Sequence, residues 1–259
     1  MKPSALILHA IGTNRDPDVA EALSLAGADA QIVHINQLKS GEKQWADYQL
    51  LVIAGGFSYA DALGAGKLLA IDLNAYFLDK VRRFITDGKP VIGICNGFQT
   101  LVKSGLIFED DRKQPVIEGT LSFNQAGHFE CRWVTMKAPT KQCVWLREGQ
   151  QIECPIAHGE GNFILKDQAM LKTLQERQMI ALQYTQPNGE LAQGQYPYNP
   201  NGSVADIAGI CNPAGNVLGL MPHPENNIYP FQHPHRTRKD TQPSGLQLFI
   251  NGVNYAKEM

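Results

Sequence analysis

The sequence predicts an α/β protein with a mostly parallel central sheet flanked by helices and antiparallel strands added at one side. Three observations carry that expectation. Between Ala5 and Lys103, short apolar, β-branched runs alternate with amphipathic helical runs. One of them, Pro90-Val91-Ile92-Gly93-Ile94, passes through Cys95-Asn96-Gly97 straight into a helical pattern. After Phe108 the alternation gives way to extended segments joined by polar turns.

Ala5 to Ala10 reads as the first strand. Asp16-Pro17 then marks an N-cap with proline at the first helical position, and Val19, Ala20, Leu23 and Leu25-Ala26 form an apolar stripe ending at Gly27. Ala30 to Ile35 and Leu50 to Ala54 are the next strands, Lys67 to Asp87 a long amphipathic helix, and Pro90 to Ile94 the fourth strand. Phe98 to Val102 reads as a short helix closed by Gly105. Thr120 to Asn124, Phe129 to Met136, Ile152 to Ala157, Ala181 to Tyr184 and Val217 to Met221 are extended segments, expected at one side of the sheet. Gln186 to Gly202, rich in proline, asparagine and glycine, reads as a surface loop. Residues 1–259 are expected to form one domain with its own core.

Lys+Arg 23 against Asp+Glu 25 leaves a formal net charge of −2, which supplies no global field for nucleic acid or anionic membrane. Five cysteines are an odd number, and no C-x-x-C pair occurs, so a disulfide framework and a structural zinc site are both poorly supported. A reducing, cytoplasmic setting fits best. No apolar run is long enough for a membrane span, and Ala5 to Ile11 leads into Gly12-Thr13-Asn14 rather than a cleavage site.

Cys95 is the candidate nucleophile. A side chain on a strand–helix elbow is pushed out of the backbone onto the N-terminus of the next helix, where the dipole favours a thiolate. Gly93 and Gly97 flank it in G-x-nucleophile-x-G spacing. A cysteine nucleophile needs a base, and the base an orienting group. Met221-Pro222-His223-Pro224-Glu225 leaves the end of a strand, and in extended geometry His223 and Glu225 point to one side. Gly55-Gly56, at the end of the third strand, offers backbone donors for an oxyanion, and the Asn96 N–H offers a second.

Gly64-Ala65-Gly66-Lys67 resembles a phosphate loop only in part: Asp61 and Leu68 occupy positions where the motif needs glycine and a hydroxyl residue. No ATP or dinucleotide site is expected in this chain. His158-Gly159-Glu160-Gly161 is either a pocket wall or a polar turn. His233 to Lys239 is a basic stretch expected to be a solvated tail or a docking surface, since no metal-ligand spacing accompanies its histidines.

Gly93-Ile94-Cys95-Asn96-Gly97-Phe98-Gln99 together with Met221 to Glu225 resembles the class I (triad) glutamine amidotransferases, built on a flavodoxin-like sheet. Gly12-Thr13-Asn14, Gly55 to Tyr59 with Leu63 to Gly66, Phe129 to Trp133, and His158 to Gly161 are similar to one branch, the glutaminase subunits of phosphoribosylformylglycinamidine synthase. Asn199 to Ser203 with Ile207 to Ile210 is similar too. The resemblance implies hydrolysis of the L-glutamine amide by Cys95, His223 and Glu225, with Gly56 and Asn96 as the oxyanion hole and Phe57, Gln99, His158 and Glu160 around the substrate. It also implies ammonia transfer to a synthetase subunit that uses ATP and magnesium to amidate formylglycinamide ribonucleotide, and a small third subunit. The chain departs from the family pattern at Ala54 (usually proline), Arg15 (usually cysteine) and Ala60 (usually glycine). A stand-alone cysteine hydrolase or peptidase on the same sheet, and a scaffold subunit without turnover, are the competing readings.

Overall fold

Fully buried strands on both faces need continuous apolar runs, and four segments supply them: β1 (Ser4–His9), β3 (Leu50–Ile53), β4 (Val91–Ile94) and β11 (Val217–Leu220). The computed structural model describes residues 1–108, 116–238 and 242–259. In chain order the remaining elements are α1 (Asp16–Ala26), β2 (Asp29–His34), α2 (Ile35–Ser40), α3 (Lys67–Asp72), α4 (Leu78–Thr86) and α5 (Asn96–Lys103). They continue with β5 (Gly119–Ser122), β6 (Glu130–Lys137), β7 (Gln151–His158), β8 (Asn162–Leu165), α6 (Gln168–Glu176), β9 (Ile180–Thr185), β10 (Ile207–Cys211) and α7 (Leu246–Glu258). Among the described residues no helix is long and apolar enough to cross a membrane.

The main sheet has the order β2-β1-β3-β4-β11-β10-β9-β6-β7. From β2 through β1, β3 and β4 to β11 the strands pair in parallel, while β10, β9, β6 and β7 continue antiparallel at one side as expected; β11, expected among those additions, instead pairs in parallel with β4, and β5 lies outside the main sheet. β5 and β8 form a separate two-stranded ribbon. The register decides where the chemistry falls. Gly93 pairs with Ile53 on one side and with Gly219 on the other. Residues just beyond those positions, namely Gly55-Gly56, Cys95 and the segment to His223, therefore emerge side by side at the carboxyl ends of the strands. The sheet also curls: the His223 N–H donates to the Pro155 carbonyl at 2.8 Å, which brings the end of β7 back over the same edge.

Several local expectations need correction. The cap of α1 is Arg15, with no side-chain cap bond; Asp16 is already helical, and its carboxylate is held by His9 Nδ1 at 2.7 Å. The Lys67 to Asp87 helix is interrupted by a π-helical turn, Leu73–Phe77, and Phe77 leaves helical geometry at φ −134. The far end of the Gln186 to Gly202 loop is not on the surface: Asn199 and Asn201 are buried, and Asn199 Nδ2 donates to Asp206 Oδ1 at 2.9 Å. His233 is buried against Trp133, with its Nε2 3.0 Å from Glu153 Oε1, so the solvated stretch begins only at Pro234; Lys239 lies outside the described residues.

Candidate active site

Cys95 sits between β4 and α5 at φ 51, ψ −103, a conformation that L-residues adopt only when the surroundings impose it. Two glycines make the elbow possible. A Cβ on Gly97 would stand 1.8 Å from the Ile53 carbonyl oxygen, and one on Gly93 would stand 2.6 Å from the Gly97 oxygen. Strand and helix pass at a separation no side chain tolerates. The Cys95 sulfur lies 3.8 Å from the Ala157 carbonyl at the end of β7, and the residue is 5% exposed.

His223 follows β11. Its Nδ1 is 2.6 Å from Glu225 Oε1, and both side chains are buried. The ring lies against Gly55, where an added Cβ would come 2.8 Å from Cε1, and it faces the Cys95 sulfur as a hydrogen-bonding partner. Burial opposes a charge on this imidazole, but the Glu225 carboxylate and the Cys95 sulfur outweigh it and hold the pKa up at about 10. The imidazole is therefore protonated at neutral pH.

The glycine loop after β3 is laced to the loop after β1. Phe57 N–H donates to Gly12 O at 3.0 Å, Arg15 N–H to Gly55 O at 3.3 Å, and Thr13 pairs with Gly56. From Gly56 the chain enters a run of left-handed residues, Tyr59 (φ 54), Ala60 (φ 54) and Asp61 (φ 53). The Asn96 side chain holds this run in place: its Oδ1 accepts from Ser58 Oγ at 2.5 Å and from the Ser58 N–H at 3.3 Å, while its Nδ2 donates to Asp61 Oδ1 at 2.9 Å. Ala60 is exposed where the resemblance has glycine. Relieving its left-handed strain in A60G is expected to raise stability by about 0.5–1 kcal/mol. The urea midpoint should rise at unchanged slope; a fall would mean that the methyl group is needed.

A cavity of about 210 Å³ opens beside the thiol, lined by Gly56, Phe57, Asp61, Cys95, Gln99 and His158 among others, Glu160 included. Hollows of about 320 Å³ near Trp45 and about 340 Å³ near Phe163 are larger, but neither carries a cysteine or histidine, so volume is not what marks the site. Phe57, Phe123 and Phe129 line the cavity and are about half exposed or more, at 45%, 72% and 51%.

Of the residues singled out in the sequence, Gly56, Phe57, Cys95, Gln99, His158 and Glu160 line the cavity, while Asn96, His223 and Glu225 are not part of its wall. Asn96 contributes its helix-terminal position and its side chain rather than cavity wall. Glu160 lines the cavity but works as a clamp: its carboxylate accepts from the Ala65 N–H at 3.2 and 3.3 Å, and its main-chain oxygen accepts from Gln99 Nε2 at 2.7 Å. Sequence reasoning missed Asp61, Phe123 and Ala157 as parts of the site. Among the described residues no group of three or more His, Cys, Asp or Glu side chains could hold a metal ion.

An elbow thiol beside a carboxylate-held imidazole, at the carboxyl ends of the parallel strands of an α/β sheet, is the arrangement of a triad enzyme with a cysteine nucleophile. The family model of the CobB/CobQ-like glutamine amidotransferase domain matches residues 2–256. The phosphoribosylformylglycinamidine synthase subunit PurQ of Treponema denticola is 54% identical over 98% of this chain and 99% of its own. Its counterpart in Methanococcus maripaludis strain S2 / LL is 38% identical over 98% of this chain and 97% of its own. A chain in the structure of PurLQS from Thermotoga maritima superposes with a TM-score of 0.73 at 29% identity, covering 98% of this chain and 99% of that one. The chain belongs to the CobB/CobQ-like glutamine amidotransferases and, within them, to the PurQ subunit family.

Proposed function

We propose that this chain is the glutamine-hydrolysing subunit of a cytoplasmic phosphoribosylformylglycinamidine synthase. The observation that carries the reading is the buried Glu225–His223 pair facing Cys95 beside a cavity, in a chain similar end to end to PurQ subunits.

The Cys95 sulfur, as thiolate, adds to the carboxamide carbon of L-glutamine. The Gly56 and Asn96 N–H groups face the developing oxyanion. As the tetrahedral intermediate collapses, the C–N bond breaks and the imidazolium of His223 gives its proton to the leaving ammonia. Water then attacks the thioester with His223 as base, and the carbon–sulfur bond breaks to release glutamate. Glu225 holds the imidazole by Nδ1, so that Nε2 serves the sulfur.

Ammonia goes to a synthetase subunit that carries the ATP and magnesium chemistry and converts formylglycinamide ribonucleotide to formylglycinamidine ribonucleotide, on the route to IMP. The Thermotoga maritima assembly bears three subunit letters, which supports a synthetase and a small third subunit as partners here. The exposed phenylalanines at the cavity suit a docked protein surface. A stand-alone hydrolase is not favoured, since the relatives similar over nearly the whole chain are subunits by name. In the test, glutamine hydrolysis by the chain alone is weak and rises at least about tenfold when synthetase and small subunit are added with ATP and formylglycinamide ribonucleotide. Full activity without partners, on amides unrelated to glutamine, would overturn the reading.

A further inference from the structure

The cavity beside Cys95 leaves two polar groups ready for a ligand, and both are acceptors. The first is Asp61. One carboxylate oxygen accepts from Asn96 Nδ2 at 2.9 Å, the residue next to the nucleophile, and the side chain lines the cavity. Glu160 reaches the same corner, but it is already engaged by the Ala65 N–H and by Lys103 Nζ at 3.5 Å, and Lys103 is itself held by the Ala65 carbonyl at 2.6 Å. Lys103 is ion-paired with Glu160 and acts on Asp61 only at longer range, so among the described residues Asp61 has no ion-pair partner of its own, and burial and Glu160 push its pKa up.

The second is His158. It is 3% exposed and lines the cavity, and its Nε2 is buried without a hydrogen-bond partner among the described residues. Its tautomer follows from its neighbour. Asn124 Nδ2 donates to the carbonyls of His128 at 3.0 Å and His158 at 2.8 Å, and Asn124 Oδ1 accepts from the Gly161 N–H at 3.0 Å. That oxygen stands 3.1 Å from His158 Nδ1, so Nδ1 carries the proton and Nε2 presents a lone pair. Burial and the charge on His223 push the His158 pKa down to about 3, which keeps the lone pair free at neutral pH. A buried acceptor without a donor is costly, and it points to a ligand rich in N–H groups.

Resting on the glutaminase reading of Cys95, we propose that Asp61 receives the α-ammonium group of glutamine and is the residue that makes the site specific for an α-amino acid amide. With the carboxamide at Cys95, the α-ammonium is the cationic end of the substrate, and Asp61 is the acid of the cavity wall without an ion-pair partner among the described residues, so an arriving cation would relieve the burial that disfavours its charge. The volume of about 210 Å³ is smaller than a drug-sized pocket and suits one amino acid. Glu160 and Lys103 are positioning residues that fasten the Asp61–Gly66 loop to α5. The His158 lone pair takes a further N–H of the ligand.

The test compares two amides on the assembled complex: L-glutamine, and glutaramate, which has the same carboxamide but hydrogen in place of the α-amino group. Asp61→Asn is expected to lower kcat/KM for glutamine by about 10- to 100-fold, mostly through KM, and to change that for glutaramate by less than about threefold. The preference of the wild type for glutamine then collapses. Asp61→Ser, which keeps an oxygen for Asn96, is the second variant should the first fail to fold. Alkylation of Cys95 by iodoacetamide at the wild-type rate reports an intact elbow. A variant with normal alkylation that keeps the wild-type preference overturns the assignment of Asp61. Wild-type complex that hydrolyses neither amide overturns the glutaminase reading, and this inference with it.

Discussion

Cys95→Ala is expected to lower kcat for glutamine hydrolysis by at least about ten-thousand-fold, the scale seen when the nucleophile of a triad is removed. No other thiol can substitute. Cys143 and Cys154 are buried, and burial pushes both thiols well above the ordinary cysteine range; Cys211 is buried, and Cys131 lies exposed on β6. The substitution removes one atom and the His223 ring's sulfur partner but leaves the Glu225 contact and the elbow glycines in place, so the fold and the cavity should survive. Glutamine should still bind, which isothermal titration with the variant would measure. Hydrolysis retained within tenfold of wild type would remove Cys95 from the mechanism.

Glu225→Gln has the second largest expected effect, because it acts on both chemistry and stability. The carboxylate is fully buried, and one of its oxygens lies 2.6 Å from His223 Nδ1. Without its charge, the largest of the interactions that offset burial at His223 is gone, and the imidazole holds its proton less tightly. Turnover should fall by about a hundred- to ten-thousand-fold, as when the orienting carboxylate of a triad is neutralised.

Stability should change with pH in a defined direction. In the native protein His223 keeps its proton to about pH 10, whereas in the unfolded chain it gives it up near the ordinary histidine value of 6.5. Below 6.5 the stabilising contribution is fully present, and it is lost as pH rises from there to about 10. The wild type should lose on the order of a few kcal/mol across that window from this group. E225Q should lack that part of the decline. Urea unfolding at a series of pH values checks it: parallel curves for the two proteins would mean that Glu225 does not govern the His223 proton.

Local chemistry is what the sequence made legible. The elbow at Cys95 depends on Gly93 and Gly97 within a few residues; His223 and Glu225 do meet, but through a 3-10 turn over Pro224–Asn226, which a proline can begin, rather than through the extended geometry expected there. That the first strands form a parallel sheet followed from their apolar runs, while their order in the sheet is set by packing and was not legible. Longer-range partners left no local mark. Asp61 stands in a segment that read as a failed phosphate loop, and its meaning depends on Asn96, which is remote in sequence and close in space. The burial of His233 rests on Trp133 and Glu153 from other strands. β10 and β8 are short and sit among glycine and asparagine, so period-two patterning could not single them out. The π-helical break at Leu73–Phe77 has no sequence punctuation at all.

The central claim is that the Cys95 sulfur forms a thioester with the side chain of glutamine. Mixing the protein with isotopically labelled glutamine, quenching in acid within a turnover and mapping the adduct by peptide mass spectrometry tests it most directly. The label is predicted on the peptide that carries Cys95, and on no other cysteine. A glutamine-hydrolysing sample with no label on that peptide, or with the label elsewhere, would contradict the mechanism.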